Sequence, residues 1–123
     1  VVTGCKSGSY APPPDTIAPT APASLTATVA SDTQINLAWM ASTDNVGVTG
    51  YTVERCTGAT CSNFAQVSAP TATTFSDMGL AASTSYSYRV RATDAANNLS
   101  AYSSTASAST PAPPDTTPPT APA

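Results

Sequence analysis

Asp44 and Asp94 are the carboxylates in this chain whose neighbours could join them in chemistry. Asp44 is followed by Asn45, and Asp94 by Asn97 and Asn98. Carboxylate and amide oxygens are the donors that calcium takes, so Asp44, Asp94 and Asn98 are calcium candidates if their loops converge. The same residue types also cap turns by bonding their own backbone, and turn capping is the role these positions favour. Cys56 and Cys61 bracket the short Gly-containing run Thr-Gly-Ala-Thr. Two cysteines so placed between strand-like segments close easily into a disulfide, which implies an oxidising compartment. No further ligand pair exists for tetrahedral zinc.

Catalysis needs more than this. Hydrolytic chemistry asks for a nucleophile with a base, or two carboxylates facing across a cleft. The chain has no histidine, and its lysine, Lys6, lies ahead of the patterned region, so the many serines have no partner base. No catalytic residue and no cofactor is expected; the chain reads as a non-enzyme. With a net charge of −3 and four basic residues, it also lacks the clustered Lys and Arg that phosphate backbones require, which excludes nucleic acid as a partner.

The elements that would position these residues are strands. Leu25, Ala27 and Val29 alternate with threonines; Ile35, Leu37 and Trp39 alternate with Asn36 and Ala38; Tyr51 and Val53 alternate with Thr52 and Glu54. Short strand-like runs follow at Phe64 to Val67 and Thr73 to Phe75. Tyr86, Tyr88, Val90 and Ala92 then alternate with Ser87, Arg89 and Arg91, and a Ser/Thr/Ala-rich run from Ala101 to Ser109 closes the pattern. About seven short period-two strands with regular turns mean an all-β antiparallel sandwich. The apolar row is the expected core: Leu25, Ile35, Leu37, Trp39, Tyr51, Val53, Tyr86, Tyr88 and Val90. The opposite row carries Glu54, Arg89 and Arg91, and pairing of the third strand with the sixth would set Glu54 across from an arginine as an exposed ion pair. By this assignment Tyr10 and Tyr102 alone are candidates for exposure, a sparse platform for stacking on sugars.

Both flanks are Pro/Thr-rich. Pro13-Pro14-Asp15-Thr16 leads into Pro19-Thr20-Ala21-Pro22-Ala23, and Pro113-Pro114-Asp115-Thr116 leads into Pro119-Thr120-Ala121-Pro122-Ala123. A linker phrase that recurs at the spacing of one small domain marks a tandem array. Residues 1–21 are therefore assigned as tether, 22–109 as one bead, and 110–123 as a linker into a further repeat. Prolines favour extended geometry, so the linkers are semi-rigid. Cys5 lacks a partner here. Val2-Thr3-Gly4-Cys5 resembles a bacterial lipobox, which would make Cys5 a lipidation candidate and the protein membrane-anchored. The alternatives are the tail of an upstream domain, with Cys5 paired to a cysteine outside this chain, and a free reactive thiol.

Residues 22–109 resemble a fibronectin type III domain of the kind strung along extracellular bacterial proteins. The resemblance rests on Ile35-x-Leu37-x-Trp39, Val48-x-Gly50-Tyr51-x-Val53, and Leu80-x-x-x-Thr84-x-Tyr86-x-Tyr88-x-Val90-x-Ala92. It rests also on Asp44-Asn45-Val46-Gly47-Val48, Asp94-x-x-x-Asn98-x-Ser100 and the Asp15-Thr16 lead-in. It implies a seven-stranded immunoglobulin-like sandwich with Leu80 in the core. It also implies a tyrosine corner, in which the Tyr86 hydroxyl bonds backbone near Leu80, and loops of Asp44 and Asp94 at one pole. The function it implies is a non-catalytic spacer or display module of a secreted or surface bacterial protein, often one that degrades polysaccharide. The expected partners are neighbouring domains of the same polypeptide. Two alternatives stand beside it: a structural subunit self-associating through edge strands and linkers, and a carbohydrate- or protein-binding module using the Asn45 and Asn97 pole.

Overall fold

The computed structural model describes residues 13–115, so Cys5, Tyr10 and the second half of the repeated linker phrase lie outside the described residues. Seven strands form: β1 (Ala23–Ser31), β2 (Gln34–Met40), β3 (Val48–Thr57), β4 (Ala65–Ser68), β5 (Thr74–Asp77), β6 (Ser85–Asp94) and β7 (Ala106–Ser109). They build two antiparallel sheets, one of order β1-β2-β5 and one of order β4-β3-β6-β7. The expected sandwich is present. The last strand is shorter than its composition predicts. Residues 101–105 run beside β6 without joining the ladder, where Ser103 donates its N–H to Val90 O at 2.7 Å and Ser100 donates to Ala92 O at 2.9 Å.

Period-two alternation produces the layers. Successive side chains of a strand point to opposite faces, and in β2 that places Ile35, Leu37 and Trp39 inward, all at most 6% exposed. The facing sheet contributes Tyr51, Val53, Tyr86, Tyr88, Val90 and Ala92. Leu80 joins them from the β5–β6 connection. Leu25 only packs against this cluster from the edge strand and stays partly buried, because β1 has a neighbour on one side alone. Trp39 meets the edge of Tyr51 at a centroid distance of 5.4 Å. The tyrosine corner forms as expected, with the Ala81 N–H donating to Tyr86 Oη at 2.9 Å.

β3 and β6 are the long central pair, in register from Val48↔Asp94 to Thr57↔Tyr86. This register fixes the function-bearing geometry. It sets Asp94 beside the start of β3, next to the loop that carries Asp44, and it sets Glu54 opposite Arg89 on the outer face. At the other end of the pair the Cys56–Cys61 disulfide closes the loop after β3. Gly58 sits within that loop at φ +120°, a left-handed conformation only glycine tolerates well. Its carbonyl accepts the Ser87 hydroxyl at 2.7 Å, which ties the loop back to β6.

Candidate functional site

Three carboxylates converge where the N-terminal arm reaches the sandwich. Asp44 lies in the β2–β3 loop, Asp94 ends β6, and Asp15 comes from the arm; one oxygen of each lies within 4.8 Å of the others. Each loop is built around its aspartate. Asp44 Oδ2 accepts the N–H groups of Val46 (3.2 Å) and Gly47 (3.1 Å). Asp94 Oδ1 accepts those of Ala96 (3.0 Å) and Asn98 (2.9 Å). Both therefore cap turns, the role favoured from sequence. Capping takes one oxygen of each carboxylate and leaves Asp44 Oδ1 and Asp94 Oδ2 outside the turns.

Asn98 binds the arm to the bead. Its side-chain amide donates to Asp94 Oδ2 and to the backbone carbonyl of Asp15, both at 2.9 Å. Asn45 reaches Asp15 Oδ1 at 3.4 Å. Further along the arm, Thr20 donates its N–H to Thr43 O and accepts the Thr43 N–H on Oγ1, both at 2.9 Å. Asn97 takes no part: it is exposed, at φ 65°, and shapes the turn. The residue missing from the sequence reading of this cluster is Asp15, which sat in a segment assigned as tether. Its signal was the Pro-Pro-Asp-Thr phrase itself, whose acid is placed to meet the pole of the bead that follows.

The electrostatics of the cluster are one-sided. Asp94 is 1% exposed. Burial pushes its carboxyl up, but hydrogen bonds from the Asn98 side chain and backbone and from the Ala96 N–H outweigh this, and Asp94 titrates below the ordinary aspartate value. Asp15 Oδ2 and Asp44 Oδ1 are enclosed and have no hydrogen-bond partner among the described residues. Enclosed carboxylate oxygens converging on one point are a donor set for a hard cation such as calcium, which binds oxygens at about 2.3–2.6 Å. Ligation is the chemistry that this donor set matches.

A second constellation lies on the outer face of the four-stranded sheet. Glu54 accepts Arg89 through Nε at 2.9 Å and Nη2 at 2.8 Å, and its other oxygen accepts the Tyr102 hydroxyl at 2.7 Å. The Arg89 guanidinium lies 3.7 Å from the Tyr102 ring centre and 4.4 Å from that of Phe64. The ion pair expected from register is present, but Glu54 is 7% exposed and not at the surface. Arg89 and Tyr102 cover it. Burial alone would raise its pKa; the hydrogen bonds from Tyr102 and Arg89 and the charges of Arg89 and Arg91 bring it below the ordinary glutamate value. Tyr102 is partly covered, and Phe64, expected among the strand residues, contributes a partly exposed ring.

The fold and the site place this chain among known proteins. Residues 20–109 match the family described as fibronectin type III domain, and the chain belongs to that family. It is 50% identical over 111 residues to exoglucanase B of Cellulomonas fimi, an alignment covering 89% of this chain and 10% of that enzyme. It is 46% identical over 118 residues to chitinase A1 of Niallia circulans, covering 94% of this chain and 16% of the enzyme. The alpha-amylase of the same organism is 46% identical over 99 residues, covering 80% of this chain and 7% of the enzyme. The chain thus spans a small fraction of these relatives. Among solved structures it is similar to an Fn3-like protein from Clostridium thermocellum, with TM-score 0.65 and 29% identity, over 77% of this chain and 96% of that one. What the enzymes share with it is a non-catalytic module; their catalytic domains lie elsewhere.

Proposed function

We propose that this chain is a spacer bead of an extracellular bacterial protein that degrades polysaccharide, holding neighbouring domains of one polypeptide apart. The observation that carries this reading is the position of the two arms. The N-terminal arm is held beside Asp94, at one end of β6, by Asn98 and Thr43. The C-terminal arm is held beside Ser85, at the other end, where Thr110 donates to Thr84 O at 2.9 Å and Ser83 donates to Pro111 O at 3.0 Å. Strands rise about 3.3 Å per residue, so entry and exit lie about 30 Å apart along β6. The similarity to modules of a cellulase, a chitinase and an amylase supports the parent activity, and the Cys56–Cys61 bond supports an oxidising location. The repeated Pro-Pro-Asp-Thr phrase supports a following bead. Attachment to the cell surface would run through a lipid on Cys5, and the intact mass of the native protein tests it.

The test of the spacer reading is an exchange. The bead is deleted from its parent, or replaced by an unrelated sandwich of equal length. Activity on insoluble polysaccharide should fall on deletion and return on replacement. Failure of the replacement to restore activity would show that this bead does something specific and is not a spacer.

A second reading is favoured by the enclosed oxygens Asp15 Oδ2 and Asp44 Oδ1. We infer that calcium joins Asp15, Asp44 and Asp94, with Asn98 holding the arm in place, so that the ion locks the linker onto the bead. Millimolar calcium should then raise the melting temperature, and Asp44→Asn should abolish the rise. An unchanged melting curve with calcium would leave the three aspartates as turn caps alone.

A further inference from the structure

On the outer sheet face Arg91 is held less fully than Arg89, because the two share one carboxylate. It follows Arg89 on the same face of β6 and stands opposite Thr52 in register. Glu54 already accepts two nitrogens of Arg89 and the Tyr102 hydroxyl, and it reaches Arg91 Nη2 only at 4.0 Å. Arg91 Nε is enclosed without a hydrogen-bond partner among the described residues, which leaves the outer end of the guanidinium as the part a ligand can reach. The guanidinium is nonetheless fixed in place, 4.7 Å from the Tyr102 ring centre, and its side chain is 28% exposed. Two guanidiniums share one carboxylate, so this face carries a surplus positive charge on a chain of net charge −3.

We propose that this face binds the carboxylate of a uronic-acid polysaccharide, with Arg91 as the anchoring residue. A planar guanidinium presents paired donors that match a carboxylate in two parallel hydrogen bonds. The rings of Phe64 and Tyr102 lie beside that anchor and are partly exposed; each already carries the Arg89 guanidinium, so it is their remaining ring surface that is open to the C–H face of a sugar. Thr52 and Gln66 add neutral polar groups on β3 and β4. Arg91 itself stands on the inner strand β6, where the Val90 and Ala92 backbone groups are bonded to Ser103 and Ser100, so the anchor offers none of the backbone pairing by which sheets capture extended peptides. The proposal extends the reading of the chain as a module of a polysaccharide-degrading protein by giving the bead a ligand of its own.

Affinity electrophoresis of the purified chain through gels containing polygalacturonate tests this. Retardation is expected with polygalacturonate and not with its fully methyl-esterified form. Arg91→Ala should weaken retention about tenfold, the worth of a charge-assisted hydrogen bond, and Arg91→Gln should do the same if the alanine variant melts early. Equal retention by polyglutamate or dextran sulfate would show charge attraction alone and overturn the proposal. So would retention unchanged by either substitution, or no retention at all. The bead-exchange experiment reads the spacer role independently, so a bead that is replaceable by any sandwich yet still retarded, or the reverse, separates the two outcomes.

Discussion

Asp77 shows how a single side chain holds this sandwich together. It ends β5 in the three-stranded sheet, is 4% exposed, and accepts Arg55 from β3 at 2.8 and 3.0 Å and the Tyr88 hydroxyl from β6 at 2.7 Å. One carboxylate therefore joins both sheets across the core. Asp77→Ala would leave the Tyr88 hydroxyl buried without an acceptor and Arg55 without its counter-charge. Breaking a fully buried pair costs about 3–5 kcal/mol. Arg55 keeps 29% of its side chain exposed, so water recovers part of that, and a loss of about 2–3 kcal/mol is expected in urea unfolding. The same site gives a pH dependence. Burial, reinforced by the hydrogen bond and charge of Asp77, pushes the Tyr88 phenol far above its ordinary value. A group whose folded pKa is raised contributes stability that is full below the unfolded pKa, about 10 for tyrosine, and is lost as pH rises above it. Denaturant midpoints should thus hold to about pH 10 and fall beyond it, and Tyr88→Phe should flatten that fall. At the acid end, Glu54 and Asp94 have lowered values, so their contribution is present above the ordinary carboxylate range and lost as pH drops through their folded values.

The elements were readable from sequence because period-two alternation reports one physical fact, which face is buried. Ile35, Leu37 and Trp39 announce β2 by that rule, and the register of β3 with β6 then follows from a need to bury Tyr51, Val53, Tyr88 and Val90 together. What alternation cannot report is contact between residues on different elements. Asp77 and Arg55 lie in unremarkable strand positions and meet only across the sandwich. Asp15 lies in a proline arm with no period at all, so its place beside Asp44 and Asp94 depended on the fold being closed first. Glu54 was placed opposite an arginine from pairing alone, but its burial depends on Tyr102, which arrives from the loop before β7. The disulfide is the element-scale feature most open to test. Loop-closure entropy for so short a loop gives about 2 kcal/mol. The inner cluster of Trp39, Tyr51, Val53 and Val90 does not involve Cys61. Reduction, or the paired change Cys56→Ser with Cys61→Ser, should lower the melting temperature while the near-ultraviolet signal of the native core persists. Complete unfolding at room temperature on reduction would mean that the core is less self-sufficient than its packing implies.

At the scale of the whole molecule, the decisive quantity is where the rigid body ends. Proline and threonine composition marks residues 13–21 as linker, yet Asp15, Ile17 and Thr20 are bonded to the bead through Asn98, Asn45 and Thr43. The arm's backbone gives up its freedom to these contacts, and the entropy of ordering each residue, about 1–2 kcal/mol, must be offset by them. Asn98 is the keystone because one amide bonds both the arm and the Asp94 loop. Asn98→Ala removes that amide and leaves three carboxylates approaching one another with less to hold them. The sandwich core should be untouched, so the melting temperature should change little. The arm, however, should come free: amide hydrogen exchange of residues 16–20 should speed up, while β3 and β6 amides keep their protection. In a chain of two beads, the freed junction should lengthen the range of interdomain distances seen by small-angle scattering. If arm amides exchange at the wild-type rate in Asn98→Ala, the arm is held by the Thr20–Thr43 pair instead, and the stiffness of such a two-bead junction would be set by threonine and proline, with no part for the acidic pole.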